Sequence, residues 1–175
     1  MEISVEKLGG IGASECGKLF TSQGLKAKTA LTLAYEKALE LINGYRKNIT
    51  TAAMQHGIFS DVVDDVMGIT IDIKCPYSPF TFWGNVRKLP DTYISQNQMQ
   101  MIGTGHKKGA ICLYLTSTNI DEWGNKIEFE IPLEERHLFL PIDADEVYQN
   151  EILKRIDEFF PIRDTIYSHL IKAPE

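Results

Sequence analysis

The sequence lacks the features that mark several large classes of protein. Three cysteines, an odd number, stand far apart at Cys16, Cys75 and Cys112, which excludes a disulfide framework and a Cys-x-x-Cys zinc site. No apolar run approaches the roughly 20 residues of a membrane helix, and no basic-then-apolar signal peptide follows Met1. These absences predict a protein of the cytoplasm with no membrane segment.

What the sequence does contain is typical of a globular protein, and we expect one domain over residues 1–175. Hydrophobic residues make up 43% of the chain and charged residues 24%. The net charge of −6 is unevenly distributed, because residues 75–119 hold 4 basic and 1 acidic residue, whereas residues 120–175 hold 6 basic and 14 acidic residues. The negative total therefore does not exclude a DNA-binding face in the first two thirds of the chain.

Hydrophobic spacing predicts an α/β or α+β fold with a small central mixed β-sheet flanked by helices. Ser14 is placed to cap a short first helix, and Asn43-Gly44 is expected to end the second. The predicted strands cover residues 59–63, 69–73, 110–115 and 126–131. The predicted helices cover residues 29–42, 91–102 and 144–170, the last interrupted or kinked at Pro161, with a further helix starting at Thr50 or Thr51.

Charged residues stand on the two predicted strands over residues 59–73. Asp72 and Lys74 are two residues apart, so both side chains leave the same face of a strand, and Asp61 on the neighbouring strand could meet them. Two carboxylates and a lysine suit a hard divalent cation such as Mg²⁺, with the lysine placed to orient a water or to stabilise charge on a phosphate. The alternative is a surface ion pair between Asp72 and Lys74.

The wider pattern resembles the PD-(D/E)xK nuclease superfamily, in particular its lambda-exonuclease and YqaJ-type phage recombination branch. Asp61 and the run Asp72-Ile73-Lys74-Cys75-Pro76 resemble the branch's D…(E/D)-x-K-C-P element. The segment from Thr92 to Met101 follows, with Tyr93, Gln96 and Gln98 in a Y-x-x-Q-x-Q pattern. Residues 10–15, GIGASE, resemble the branch's I-x-A-S-E segment. The matching pieces cover residues 7–20 and 59–115.

The resemblance implies a role for each matching residue. Asp61, Asp72 and the backbone carbonyl of Ile73 would bind the metal, Mg²⁺ with Mn²⁺ as a substitute. Lys74 would be the catalytic lysine, and Gln96 would hold the attacking water or a phosphate oxygen. Lys7 and Ser14 would contact the terminal 5′-phosphate, unless Ser14 is only a helix cap. For Gln96, Gln98 and Gln100 the alternative is an exposed polar face of the helix.

The function that the resemblance implies is a Mg²⁺-dependent exonuclease that degrades one strand of duplex DNA from a 5′ end in phage-type recombination. Relatives in this branch form rings, so we expect a homotrimer, with a single-strand annealing protein as a possible partner. The alternatives are a weak or inactive relative that binds DNA ends, and an endonuclease of the same superfamily. Phe80, Phe82 and Trp83 are either core residues or stack on a frayed DNA end.

One part of the family pattern is missing. In the resembled branch a Met-Gln-His-Gly-like turn leads into a glutamate of the metal site, with further structure before the first aspartate. Here residues 54–57, MQHG, are followed by Asp61 four residues later. Either this protein has lost the segment, or the sequence closes over residues omitted from it. The well-matched flanks favour omission, which predicts a consecutive Cα pair between residues 56 and 60 that is much farther apart than about 3.8 Å.

Overall fold

The computed structural model describes residues 11, 13–20, 23–47, 62–120 and 124–172. The helices are α1 (Ala13–Cys16), α2 (Lys28–Lys47), α3 (Pro79–Arg87), α4 (Asp91–Thr104) and α5 (Glu146–Lys172). The strands are β1 (Val62–Asp64), β2 (Ile69–Lys74), β3 (Lys108–Tyr114), β4 (Thr118–Ile120), β5 (Lys126–Glu128) and β6 (His137–Asp143). They form two compact units: one holds α1, α2 and α5, and the other holds all six strands with α3 and α4.

The strand-containing unit is built on a four-stranded mixed sheet in the order β1-β2-β3-β6. β2 pairs in parallel with β3, placing Asp72 opposite Ile111, whereas β1 and β6 pair antiparallel with their neighbours. Because parallel strands cannot be joined by a tight turn, the chain crosses over between β2 and β3, and α3 and α4 form this crossover. The mixed sheet with helices confirms the predicted α+β fold class.

One face of this sheet carries the hydrophobic core of the unit. Phe82 from α3 packs with Ile111, Leu113 and Leu115 of β3 and its extension, and partly buried side chains of β6 and α4 surround them. α3 begins sharply because the Ser78 hydroxyl accepts a hydrogen bond from the Thr81 backbone N–H at 3.2 Å. The core thereby holds α3 against β3, and α4 lies against both β2 and β3.

The other unit contains a buried ion pair between α1 and α2. Lys37 is 1% exposed, and its Nζ lies 3.0 Å from Oε2 of Glu15. This carboxylate compensates a lysine that burial would otherwise penalise. Nearby in the sequence, burial of the Cys16 thiol raises its pKa to about 12.

Several predicted boundaries differ from the structure. Helix α2 continues through Asn43-Gly44 to Lys47, and α5 runs unbroken past Pro161. α1 begins at Ala13, so Ser14 lies inside the helix instead of capping it. Three elements, α3, β4 and β6, have no counterpart among the predicted helices and strands.

The predicted helix after Thr50 and the expected Cα separation between residues 56 and 60 lie outside the described residues. The expectation of one domain over the whole chain stays a prediction. None of the helices in the described part of the chain has the length and apolar composition that a bilayer crossing requires.

Candidate active site

Asp72 and Lys74 project from the end of β2 toward α4. Their spacing of two puts both side chains on the face that also carries the core, which is why the aspartate is only 2% exposed. The lysine side chain, at the last residue of the strand, remains 18% exposed. A buried carboxylate beside a partly accessible ammonium is not the surface ion pair that the spacing alone also allowed.

Gln96 joins the two charged groups. The Lys74 Nζ lies 2.7 Å from Oδ2 of Asp72 and donates a hydrogen bond to Oε1 of Gln96 at 2.7 Å. The amide nitrogen of Gln96 in turn donates to Oδ1 of Asp72 at 3.0 Å. The ring of Tyr93, one helical turn before Gln96, lies under the ammonium with its centroid 5.0 Å from Nζ. This closed arrangement confirms neither catalysis nor metal binding, but it brings Asp72, Lys74 and Gln96 together as predicted.

A second layer of amides supports the carboxylate from inside the unit. Gln100 is fully buried and donates from Nε2 to Oδ1 of Asp72 at 3.2 Å. Asn97, also fully buried, donates to Oε1 of Gln100 at 3.2 Å and to the Ala110 carbonyl at 3.5 Å. Gly109 on β3 makes room for this asparagine, because a Cβ there would lie 2.1 Å from Oδ1 of Asn97. We call Gln96, Asn97 and Gln100 with Asp72 the amide network.

The prediction of an exposed glutamine face is wrong for two of the three glutamines. Gln98 and Gln100 are 2% and 0% exposed, since the helix turns them toward the sheet. Gln98 donates to the Asp143 carbonyl at the end of β6 at 2.8 Å. Sequence reasoning missed Asn97 and Gln100, although a spacing of four between Gln96 and Gln100 places both on one helix face with Asp72 in reach.

The remaining predicted site residues are not part of this arrangement. Ile73 lies between Asp72 and Lys74 with its side chain on the other face of the strand, 42% exposed, and the metal-binding role of its carbonyl stays a prediction. Ser14 is exposed on α1 in the other compact unit. Lys7 and Asp61 lie outside the described residues. Cys75, the residue after Lys74, is exposed.

The described residues supply one of the oxygen ligands that a magnesium site needs, the carboxylate of Asp72. Oδ2 of Asp72 is buried and, within the described ranges, has the Lys74 ammonium as its ion-pair partner but no aligned hydrogen-bond donor. A hard carboxylate oxygen of this kind is the ligand type that Mg²⁺ takes. The part of the chain that the structure describes holds no group of three or more histidine, cysteine, aspartate or glutamate side chains placed for a metal. Asp72 alone would therefore need further ligands from Asp61 or from water.

The arrangement of these residues can position groups around a phosphate. Lys74 Nζ has three N–H groups and donates one of them to Gln96, so that beside its ion pair with Asp72 it can still donate to an incoming oxygen. The amide nitrogen of Gln96 similarly has a second N–H beyond the one donated to Asp72. Both donors are fixed before a substrate arrives, which is the condition for electrostatic stabilisation of developing charge.

Comparison with solved structures finds the same fold in exonucleases. An alkaline exonuclease, LHK-Exo, from Laribacter hongkongensis superposes with a TM-score of 0.65 at 19% identity, over 95% of this chain and 94% of that chain. LHK-Exo in complex with dAMP gives 0.63 at 19% identity, over 96% and 94% of the two chains. A phage-related exonuclease from Haemophilus somnus 129PT gives 0.60 at 18% identity, over 93% and 95%. No family model and no curated protein matches the chain. The fold expected from the sequence resemblance is therefore confirmed.

Proposed function

We propose that this protein is a Mg²⁺-dependent deoxyribonuclease that removes nucleotides from one strand of duplex DNA, in the 5′→3′ direction, during phage-type recombination. The observation that carries the proposal is the triad of Asp72, Lys74 and Gln96, held within 3.0 Å of one another on a fold that solved exonucleases share. The fold alone would not support an activity, because one fold hosts many functions.

In the proposed reaction each residue has a separate task. Asp72 would hold the metal through its carboxylate, together with Asp61 and the Ile73 carbonyl as the resemblance implies. A bound Mg²⁺ would supply Lewis-acid stabilisation of the phosphate charge. Lys74 directs its remaining N–H toward the attacking water or the phosphate, and Gln96 keeps that ammonium in place while offering its second amide N–H to the same oxygen atoms.

The test is digestion of end-labelled duplex DNA with Mg²⁺ and with a chelator in its place. We expect mononucleotides from the 5′-labelled end, and a loss of rate of at least about a hundredfold for Lys74→Met. The matched control is Lys126→Met, because Lys126 forms a 2.7 Å ion pair with Glu128 at the same spacing of two residues but on the surface. Equal rates for the two variants would remove Lys74 from the mechanism.

A second candidate is a DNA-end-binding relative without hydrolysis. One observation favours it. In the part of the chain described, Asp72 is the one carboxylate of the candidate site, and no group of three possible metal ligands is found there. The same digestion separates the candidates, since binding without any cleavage supports this one and internal cuts support an endonuclease.

The proposal extends to assembly and setting. A ring of three copies would keep the enzyme on its DNA, because a closed cyclic assembly cannot dissociate sideways from a duplex. A single-strand annealing protein would take up the strand left behind, in the cytoplasm of a bacterial host. Light scattering that gives a monomer mass at working concentration would contradict the ring.

A further inference from the structure

Helix α3 exposes aromatic side chains on the face that points away from the core. Residues 82, 85 and 86 lie on one side of the helix, and Phe82 and Asn85 there are buried. Phe80, Trp83 and Arg87 recur at spacings of three and four on the opposite side. Phe80 is 89% exposed and Trp83 47% exposed. We call Phe80, Trp83 and Arg87 the α3 stripe.

The α3 stripe and its flank carry basic residues in a chain with a net charge of −6. Residues 75–90 contain Arg87 and Lys88 and no acidic residue, between Asp72, which pairs with Lys74, and Asp91 at the start of α4. Arg87 and Lys88 are exposed, and their side chains have no hydrogen bond or ion pair with any described residue. Unpaired cations beside exposed rings are complementary to an anionic, aromatic polymer. Nucleic acid has this combination of phosphates and stacking bases, whereas a hydrophobic protein partner would leave the cations unpaired.

The α3 stripe follows the candidate active site directly in the chain. Phe80 is six positions after Lys74, so their Cα atoms lie at most about 22 Å apart. Phe82 packs in the same hydrophobic cluster as Tyr93, whose ring contacts the Lys74 ammonium. The rings of Trp83 and Phe82 pack in a T-shaped arrangement, with centroids 5.2 Å apart and an interplanar angle of 89°. The core thus holds the stripe in a fixed position relative to the catalytic triad.

We infer that the α3 stripe binds unpaired nucleotides of a DNA strand beside the active site, with bases stacked on Phe80 and Trp83 and a phosphate on Arg87. This inference rests on the proposed function, because a nuclease that acts at DNA ends must hold strands that have separated. Stacking on aromatic rings accepts every base, so the stripe gives affinity without sequence preference.

The experiment measures binding of a fluorescein-labelled oligothymidylate by anisotropy, with chelator present so that no cleavage occurs. We expect Phe80→Ala to weaken binding about tenfold, the effect of one lost base stack. We expect Arg87→Gln to reduce the slope of log affinity against log salt concentration by about 0.7, the value for one lost contact to a single-strand phosphate. The matched control is Phe139→Ala, since Phe139 is 55% exposed on β6 of the same unit, on the face away from the core.

A second measurement reports on Trp83 itself. In a Trp123→Phe protein Trp83 is the remaining tryptophan, and base stacking should quench its fluorescence when the oligothymidylate binds. An absence of quenching, an absence of binding, or equal affinities for Phe80→Ala and Phe139→Ala would each overturn the inference. A change of oligomeric mass in Phe80→Ala with unchanged affinity would overturn it too, and would assign the stripe to a contact between copies. If the parent protein does not hydrolyse DNA but still binds the oligothymidylate through the stripe, only the proposed function is refuted.

Discussion

Gly109 gives a direct test of the amide network. Its φ lies outside the left-handed region, so alanine is allowed by the backbone, but the added Cβ would lie 2.1 Å from Oδ1 and 3.0 Å from Cγ of Asn97. Asn97 is fully buried and short, and it can move away only by giving up its hydrogen bonds to Gln100 and to the Ala110 carbonyl. Gly109→Ala should therefore destabilise the fold and disturb the support of Asp72.

The size of the effect follows from three contributions to the free energy of unfolding. Overpacking of a close-packed interior costs about 1–3 kcal/mol. The two hydrogen bonds of Asn97 contribute about 1 kcal/mol each when both are lost. Alanine also lowers the conformational entropy of the unfolded chain relative to glycine, which offsets about 0.4–1 kcal/mol of this loss. The net loss is about 2–5 kcal/mol, which is a large share of the roughly 5–15 kcal/mol of a typical domain.

Urea unfolding of four proteins measures this loss and its cause: the parent, Gly109→Ala, Asn97→Ala and the double variant. In the Asn97→Ala background the clash is absent, so Gly109→Ala should cost nothing, and the cycle should give a coupling of about 1 kcal/mol or more. Gly84→Ala is the control, because no atom lies within 4 Å of a Cβ at that helical position and alanine should stabilise it. An equal cost of Gly109→Ala in both backgrounds would refute the reasoning.

Three further results are expected. Asp72→Asn should lower the free energy of unfolding by about 1–3 kcal/mol, because its Oδ1 can still accept both glutamine amides but Lys74 loses the carboxylate 2.7 Å away, and DNA hydrolysis should fall at least about a hundredfold; paired urea and digestion measurements check this, and retained hydrolysis would contradict it. Cys75 is exposed and should react rapidly with a thiol reagent. Cys16 should react only on unfolding, because burial raises the pKa of its thiol to about 12. Fast labelling of Cys16 in the native protein at neutral pH would contradict this. Glu15→Ala should lower the free energy of unfolding by about 3 kcal/mol, because Lys37 would lose its carboxylate in a buried position; a loss below about 0.5 kcal/mol in urea unfolding would show that the pair is not needed.

The elements that can be predicted from the sequence are those with a clear local pattern. The predicted bounds of β2 and α4 lie within two residues of the observed ones, because β-branched residues and helical spacing mark these elements. α3 is missed because Pro76 and Pro79 indicate the end of a strand, although Ser78-Pro79 is also a helix start signal. β6 is missed because Pro141 interrupts its alternating pattern. α2 continues past Gly44 because a single glycine costs a helix only about 1 kcal/mol, which tertiary packing can outweigh.

The candidate site shows the same limit at the level of side chains. The strand spacing of Asp72 and Lys74, together with the resemblance to nucleases, is enough to group these two residues with Gln96. Gln100 cannot be assigned in this way, because a polar residue on a helix is normally exposed. The spacing of four shows that Gln100 shares a helix face with Gln96, but its burial is decided by Asp72, 28 residues earlier in the chain, and the spacing does not show which partner that face meets.

The parallel pairing of β2 with β3 gives the amide network a role in folding accuracy. A slip of one residue between these strands would turn Asp72 to the other face of the sheet, away from both glutamines. The charged carboxylate would then lose every amide donor that compensates its burial, while hydrophobic neighbours such as Ile71 and Ile73 would change places with it. The contacts that arrange the proposed catalytic groups therefore also favour the correct register of the sheet, because a chain that pairs wrongly is destabilised at the residue on which the proposed chemistry depends.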